Sequence, residues 1–213
     1  MSIVIEIRNV SKCFGKTQVL NNVNVNFETA KIHGLIGRNG SGKTILLKCI
    51  CGLLPPTTGK IIVDGEIVGV DTEIPKKLGA IIETPGFLPS YSAFQNLKFL
   101  AQISRKATNQ DIVEAIKSVG LDPSSKKKVG KYSLGMKQRL GLAQAIMEKP
   151  DILILDEPMN GLDKEGVTEM RSYLLKLKGN GKTIIIASHS KEDIDILCDT
   201  VHEIDKGVLT RIK

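Results

Sequence analysis

The stretch Gly37-Arg38-Asn39-Gly40-Ser41-Gly42-Lys43-Thr44 decides the fold of this 213-residue chain. It follows the apolar run 32–36 and precedes the helix-like run 45–48, so the order is strand, glycine-rich loop, helix. The glycines let the backbone turn its N–H groups inward without a Cβ in the way, and a helix that begins near Gly42 adds the positive end of its dipole. The pattern predicts a loop that cradles the phosphates of a nucleoside triphosphate.

Three side chains of this loop have predicted roles. Lys43 would reach the β- and γ-phosphates, and the Thr44 hydroxyl would bind a Mg²⁺ ion. Ile45, the next residue, is included in the predicted nucleotide site. A glycine-rich turn without a ligand is the alternative, and the flanking strand and helix argue against it.

Composition places the chain among ordinary globular proteins. Apolar residues make up 41% of it and charged residues 25%. No apolar run approaches the ~18 residues that span a bilayer, and the N-terminus lacks the layout of a signal peptide. We therefore expect a cytosolic protein, with one domain's worth of chain.

Charge, aromatic content and cysteine spacing indicate which partners and metal ligands to expect. The net charge is +7, which we interpret as a solvated basic face whose densest run is Lys126-Lys127-Lys128. Only 4% of residues are aromatic, so base stacking has little support and no nucleic-acid partner is expected. No C-x-x-C pair is present, and we interpret the cysteines as small apolar residues rather than metal ligands. They are Cys13, Cys49, Cys51 and Cys198.

Periodicity predicts an α/β chain. β-branched runs predict strands at 3–7, 19–27, 32–36 and 61–63. Residues 90–149 are mostly of helical pattern. Strand, helix and strand patterns then follow Pro150, at 152–155, 165–178 and 183–187. This order predicts a mostly parallel sheet interrupted by a helical insertion.

Two adjacent carboxylates end the apolar strand 152–155. Asp156 and Glu157 lie where an open α/β sheet places its ligands. Successive strand residues point in opposite directions, so the two cannot share one role. Asp156 is assigned to the Mg²⁺ shell, and Glu157 to positioning and polarising the attacking water.

A second helix start lies in Tyr132-Ser133-Leu134-Gly135-Met136-Lys137-Gln138-Arg139. Ser133 is a good N-cap, and the small Gly135 in the first turn leaves backbone N–H groups accessible to an anion. The predicted buried stripe is Met136, Leu140, Ala143 and Met147. Taken alone, this stretch is better explained as a capped amphipathic helix.

The order of motifs carries more information than any one of them. Taken in order, five motifs resemble those of the ATP-binding subunit of an ABC transporter, from end to end of the chain. They are the glycine loop, the Ser-Leu-Gly-Met helix start, the Asp-Glu strand end, Asn160-Gly161-Leu162-Asp163 and Ser188-His189. The resemblance implies an ATPase that uses ATP and Mg²⁺, pairs with a second such subunit, expected to be an identical copy, and drives a membrane permease from the inner face of the membrane.

The resemblance also implies a fold and a division of the chain into two lobes. The fold is α/β, a P-loop NTPase (RecA-like) core of mostly parallel strands with an N-terminal antiparallel β region and a helical subdomain insertion. Residues 1–83 and 151–213 would form the ATP-binding lobe of a single ABC domain, and residues 84–150 the helical lobe.

Further residue roles follow from the family. Ser133 and Gly135 match the signature motif, which binds the γ-phosphate held by the opposite subunit. His189 matches the switch histidine that contacts the γ-phosphate, and Asp163 the acid of the loop that crosses the dimer interface. Phe14 matches the aromatic residue that stacks on adenine; a core phenylalanine is the alternative.

One departure points to a branch of the family. Glu83 stands where most members have glutamine, and the stretch 81–97 resembles the bacitracin and lantibiotic resistance branch. A carboxylate here would add negative charge beside Mg²⁺, so Glu83 joins Thr44 and Asp156 as a predicted metal residue. The branch implies export of a peptide antibiotic or a similar compound.

Two other classes stay open. A soluble ABC ATPase without a permease, such as an iron–sulfur assembly ATPase, would fit the length of the chain. A small P-loop kinase would lack the Ser133 signature and the Asp163 loop.

Overall fold

Two β-sheets and six α-helices build residues 2–213, the part of the chain that the computed structural model describes. The strands are β1 (Ile3–Phe14), β2 (Thr17–Glu28), β3 (Ile32–Ile36), β4 (Thr58–Val63), β5 (Glu66–Ile67), β6 (Leu78–Ile81), β7 (Ile152–Asp156), β8 (Thr183–Ala187), β9 (Thr200–Asp205) and β10 (Val208–Arg211). The helices are α1 (Lys43–Ile50), α2 (Ala93–Ser104), α3 (Asn109–Ser118), α4 (Leu134–Ile146), α5 (Lys164–Gly179) and α6 (Lys191–Leu197), and a 3₁₀ turn spans Val129–Lys131.

The two sheets have different topologies. The six-stranded sheet has the order β10-β9-β3-β8-β7-β6, and all its pairs are parallel except β10 with β9. The four-stranded sheet, β2-β1-β4-β5, is antiparallel throughout. This arrangement confirms the predicted α/β fold, with its mostly parallel core and antiparallel N-terminal region.

Strands β7 and β8 are buried at every residue, as parallel strands covered on both faces are. Their side chains alternate between two apolar clusters. Leu153 and Leu155 of β7 pack in the cluster formed with α2 to α6, while Ile152 and Ile154 pack with α1 and the antiparallel sheet. The carboxyl end of β7, which carries the predicted catalytic acids, is therefore packed against apolar side chains on both faces of the sheet.

The helical insertion lies directly on β6. A Cβ on Gly79 would stand 1.9 Å from the carbonyl oxygen of Ala145 in α4, so only glycine permits this approach. Helices α2, α3 and α4 all fall within the predicted lobe 84–150, and the boundaries of that lobe stay a prediction. Within residues 2–213, each helix is too short or too polar to span a lipid bilayer.

Burial explains the behaviour of the cysteines. It raises the pKa of the thiol to about 11 at Cys49 and to about 12 at Cys51 and Cys198. All four cysteines are free thiols. The three buried ones stay protonated near neutral pH and pack as small apolar side chains.

Candidate active site

The glycine loop has the geometry that phosphate cradling requires. It joins β3 to α1, and Gly42, with φ 111°, stands at the N-cap of the helix. A Cβ on Gly37, which has φ 150°, would stand 2.4 Å from the carbonyl oxygen of Ile204 on β9. No side chain caps the start of α1, so its first N–H groups are left for a ligand.

Lys43 is held inside the loop. Its side chain is almost fully buried, and Nζ donates hydrogen bonds to the carbonyl oxygens of Gly37 at 2.7 Å and Arg38 at 3.2 Å. The Ser41 hydroxyl is buried without a hydrogen-bond partner among the described residues. A fixed ammonium group, an unpaired hydroxyl and free helix N–H groups form a donor set that fits phosphate.

Thr44 and Asp156 meet across the sheet. The Thr44 hydroxyl donates to Oδ2 of Asp156 at 2.7 Å, and the carboxylate is buried. A hydroxyl and a carboxylate oxygen are hard ligands of the kind that Mg²⁺ prefers. The pair therefore fits a magnesium ion held next to the phosphate loop.

Six of the nine residues 37–45, together with Asp156 and Glu157, line one cavity of about 320 Å³. Its lining comprises Val19, Asn39, Gly40, Gly42, Lys43, Thr44, Ile45, Asp156 and Glu157. Val19, at the start of the second predicted strand, had no assigned role in the sequence. Its backbone carbonyl stands 3.0 Å from where a Cβ on Gly42 would lie, and only the fold brings it to the loop.

Glu157 and His189 form a pair. Nδ1 of His189 lies 2.8 Å from Oε2 of Glu157, and because a carboxylate can only accept, Nδ1 carries the hydrogen. Glu157 has left-handed backbone, with φ 50°, and its N–H donates to the carbonyl oxygen of Ala187. This turn points the acid away from the line of β7, as the separate roles of Asp156 and Glu157 require.

Gln138 links this pair to α4. Its Nε2 donates to the backbone carbonyl oxygen of Glu157 at 3.2 Å, and its side chain is buried. The sequence placed Gln138 within the second helix start without giving it a role. The sequence offered no signal for it, because Gln138 lies outside the predicted buried stripe of α4.

The second helix start lies apart from the cavity. Ser133 caps α4, with its hydroxyl accepting from the backbone N–H of Met136 at 3.2 Å. A Cβ on Gly135 would stand 2.7 Å from the carbonyl oxygen of Gly161, so the helix start packs on the 160–163 loop. Asp163 caps α5 by accepting from the N–H of Gly166 at 2.8 Å. Ser133, Gly135 and Asp163 are not among the residues that line the phosphate-loop cavity.

Phe14 is available for stacking. It ends β1 at the tip of the hairpin, its ring is 47% exposed, and Nζ of Lys12 lies 5.1 Å from the ring centroid. This exposure excludes the alternative of a core phenylalanine. Its contact with adenine stays a prediction.

Glu83 pairs with Lys48, which lies one helical turn after the predicted metal residue Thr44. Its Oε1 accepts from Nζ of Lys48 at 2.7 Å, and Lys48 follows Thr44 by four positions in α1. The Glu83 side chain is 63% exposed. The carboxylate is thus engaged with a lysine in this structure, and its place in the metal shell stays a prediction.

Comparison with known proteins agrees with this geometry. The family model described as ABC transporter matches residues 20–160. Over 206 residues, the chain is 50% identical to the uncharacterized ABC transporter ATP-binding protein YybJ of Bacillus subtilis, covering 97% of this chain and 94% of that protein. It is 42% identical to the bacitracin transport ATP-binding protein BcrA of Enterococcus faecalis, covering 98% and 68%.

Solved structures show the same fold. The ATP-binding cassette MJ0796, in a dimeric post-hydrolysis state bound to ADP and Pi, superposes with a TM-score of 0.86 at 21% identity, covering 98% of this chain and 99% of that one. Together with the sequence matches, the phosphate loop and the Asp-Glu strand end show that the chain belongs to the ABC transporter family, as one of its ATP-binding and ATP-hydrolysing proteins.

Proposed function

We propose that this protein is the motor of a transporter: two copies close around two ATP molecules and pass that movement to a separate membrane permease. The observation that carries the proposal is the separation of two helix starts, those of α1 and α4, that are both predicted to bind an anion. The phosphate loop lines one cavity, whereas Ser133 and Gly135 lie outside its lining. A second copy would bring its Ser133 and Gly135 to the phosphates held by the first.

The charged and hydroxyl groups of the cavity have roles in hydrolysis. Thr44 and Asp156 would hold Mg²⁺, which supplies charge neutralisation on the phosphates when bound. Lys43 binds the β- and γ-phosphates, exchanging the loop carbonyls for phosphate oxygens. The backbone N–H groups of α1 hold the remaining phosphate charge.

Glu157 positions and polarises the water that attacks the γ-phosphate. His189 already donates through Nδ1 to this carboxylate, which fixes the orientation of both side chains. Gln138 ties this pair to the signature helix, so movement of α4 on dimer closure would reach Glu157.

The cargo proposal rests on the relatives. A bacitracin transport ATP-binding protein is 42% identical over 98% of this chain. Glu83 is the residue on which the sequence resemblance to that branch rests. We infer export of a peptide antibiotic or a similar compound. Association with the permease would place the protein on the inner face of the membrane.

Affinity capture tests the permease. The Glu157→Gln protein, which should hold ATP without hydrolysing it, is captured from detergent-solubilised cells with ATP and Mg²⁺, and its partners are identified by mass spectrometry. We expect a polytopic membrane protein that is absent when the bait is omitted. Capture of soluble partners alone would contradict the proposal and favour an assembly ATPase, such as one for iron–sulfur clusters.

A further inference from the structure

An ion pair between α5 and α6 lies close to the Glu157–His189 pair. Nε of Arg171 donates to Oδ1 of Asp193 at 2.8 Å, and Nη2 of Arg171 donates to the same oxygen. Arg171 and Asp193 line a cavity of about 640 Å³ whose wall also includes Glu157 and His189. The ion pair and the predicted catalytic pair therefore border the same space.

This ion pair is largely withdrawn from water. The Asp193 side chain is 4% exposed and that of Arg171 14%. Nη1 of Arg171 also donates to Oε1 of Glu192 at 3.0 Å, so the guanidinium holds two successive residues in the first turn of α6. Removing one partner of a buried ion pair leaves an uncompensated charge, so the start of α6 should shift when Arg171 is replaced.

The start of α6 determines where His189 lies. His189 stands between Ser188, which follows β8, and Ser190, the N-cap of α6. The Ser190 hydroxyl accepts from the N–H of Asp193 at 3.3 Å, and the N–H of Ser190 donates to Oγ of Ser188 at 3.1 Å. Short-range hydrogen bonds thus join the residue that Arg171 holds to both neighbours of His189.

The imidazole itself has little packing around it. The His189 side chain is 66% exposed, and within residues 2–213 its ring forms one side-chain hydrogen bond, to Glu157 at 2.8 Å. The orientation of the ring therefore depends on the backbone between β8 and α6. A shift of this backbone would carry Nδ1 out of hydrogen-bonding distance of Glu157.

We propose that Arg171 is a positioning residue for ATP hydrolysis: through Asp193 and the start of α6, it holds His189 against Glu157. The proposal rests on the roles in hydrolysis proposed above for Glu157 and His189. Arg171 is not among the residues that line the phosphate-loop cavity, so it should influence turnover and not ATP binding. The alternative is a merely structural ion pair, whose loss would lower stability without a change at His189.

NMR of the full chain with ¹⁵N-labelled histidine tests the proposal at the ring itself. In His189, Nδ1 should carry the hydrogen, because it faces a carboxylate. In His33, Nε2 carries it, since this atom lies 2.9 Å from the carbonyl oxygen of Glu28, which can only accept. Burial lowers the pKa of His33, so its ring stays neutral and serves as an internal reference of the opposite tautomer.

Arg171→Met removes the guanidinium and keeps much of the apolar stem. We expect the Nδ1–H signal of His189 to give way to exchange between the two tautomers. The kcat for ATP should fall about tenfold, because displaced catalytic groups lose up to about a hundredfold. ATP affinity of the single copy, measured by calorimetry, should stay unchanged. Arg171→Lys should recover part of both losses, since an ammonium can still donate to Asp193.

Lys178→Met provides a matched control on the same helix. Lys178 lies about two turns after Arg171 on α5, and its Nζ pairs at 2.9 Å with Oδ1 of Asp199, just past the end of α6. This variant removes an ion pair between the same parts of the fold, at the end of α6 away from His189. Its kcat and its His189 signal should match the wild type. Thermal melting of all variants compares their stability.

An unchanged His189 signal in folded Arg171→Met would overturn the proposal, and so would equal losses in Lys178→Met. If Arg171→Met does not fold, Arg171→Lys gives the same comparison, with a smaller loss expected. His189→Ala separates this inference from the proposed chemistry of the site. Wild-type turnover in His189→Ala would contradict the role of the histidine in hydrolysis, whereas the NMR comparison would still show whether Arg171 positions the ring.

Discussion

The starts of α1 and α4 are both predicted to bind phosphate, yet they are built differently. Gly42 precedes α1 and offers no side-chain acceptor, so the first turn of this helix lacks a cap. Ser133 precedes α4, and its hydroxyl accepts from the N–H of Met136. One helix start depends on a ligand to satisfy its N–H groups, and the other satisfies one of them internally.

In the proposed two-copy site, this difference assigns the two helix starts to different steps, ATP binding by one copy and closure of the dimer. The uncapped start of α1, with the Lys43 ammonium beside it, suits a phosphate site that works in a single copy. The capped start of α4 is stable without nucleotide, so it can stay folded in a single copy before the phosphates of a second copy reach it. Variants at each start should therefore separate ATP binding from dimer closure.

Loss of the loop ammonium should have the largest effect. Lys43→Met keeps most of the side-chain volume and removes the charge that binds the β- and γ-phosphates. We expect ATP affinity to fall at least about a hundredfold, since charge-assisted hydrogen bonds contribute about 1.5–3 kcal/mol each. Calorimetric titration with ATP measures it; unchanged affinity would remove Lys43 from the phosphate site.

Acid should weaken the strand that supports the phosphate loop. His202 on β9 is buried, and burial lowers its pKa from the ordinary 6.5 to about 4. As pH falls below 6.5, the unfolded chain takes up this proton before the folded chain does, so stability is lost between pH 6.5 and 4. The expected loss from this group between about pH 7.5 and pH 5 is about 2 kcal/mol.

Urea unfolding at these two pH values measures that loss. His202→Phe, which keeps a ring beside Phe27, should lose about 2 kcal/mol less on acidification than the wild type. Ser133→Ala should keep the wild-type pH dependence, because it alters only the start of α4. Identical pH dependence of His202→Phe and wild type would show that this histidine does not couple acid to unfolding.

Removing the α4 cap should impair turnover more than nucleotide binding. Ser133→Ala should lower ATPase activity about tenfold if the hydroxyl serves a phosphate of the second copy. It should also destabilise the fold by about 1 kcal/mol as a lost N-cap. ATP affinity of the single copy should stay unchanged.

A second cap provides the matched control. Ser92 caps α2 by accepting from the N–H of Gln95, so Ser92→Ala should cost similar stability with little loss of activity. Urea unfolding and steady-state ATPase assays on both variants give the comparison. Equal activity losses would mean that Ser133 acts only as a cap.

The smallest effect is expected at Glu83. Glu83→Gln removes the third predicted metal carboxylate or hydroxyl group, which in this structure pairs with Lys48, so the Mg²⁺ concentration for half-maximal ATPase activity should rise about threefold. Lys48→Gln removes the ion-pair partner of Glu83 and should not raise that concentration. An unchanged metal titration in Glu83→Gln would exclude it from the metal shell.

Local pattern predicted the elements that carry the phosphate site. The strand over 32–36 and the N-caps at Gly42 and Ser133 are where the sequence placed them, because glycine geometry and capping act within a few residues. β6 was not predicted. Its four residues include Gly79, and pairing with β7 rather than local propensity makes it a strand.

Contacts between distant segments could not be predicted from local pattern. The Lys48–Glu83 ion pair joins α1 to the loop after β6. The Gln138 contact with the Glu157 carbonyl depends on how the insertion packs on the sheet. The pairing of residues 89–91 with residues 129–130 depends on backbone hydrogen bonds between distant segments.

The composite site is tested most directly by light scattering on two variants in ATP and Mg²⁺. Glu157→Gln should form a dimer. Glu157→Gln/Ser133→Arg, with an intact phosphate loop, should bind ATP and stay a monomer. A dimer of both variants, or a monomer of both despite bound ATP, would contradict a site that two copies complete.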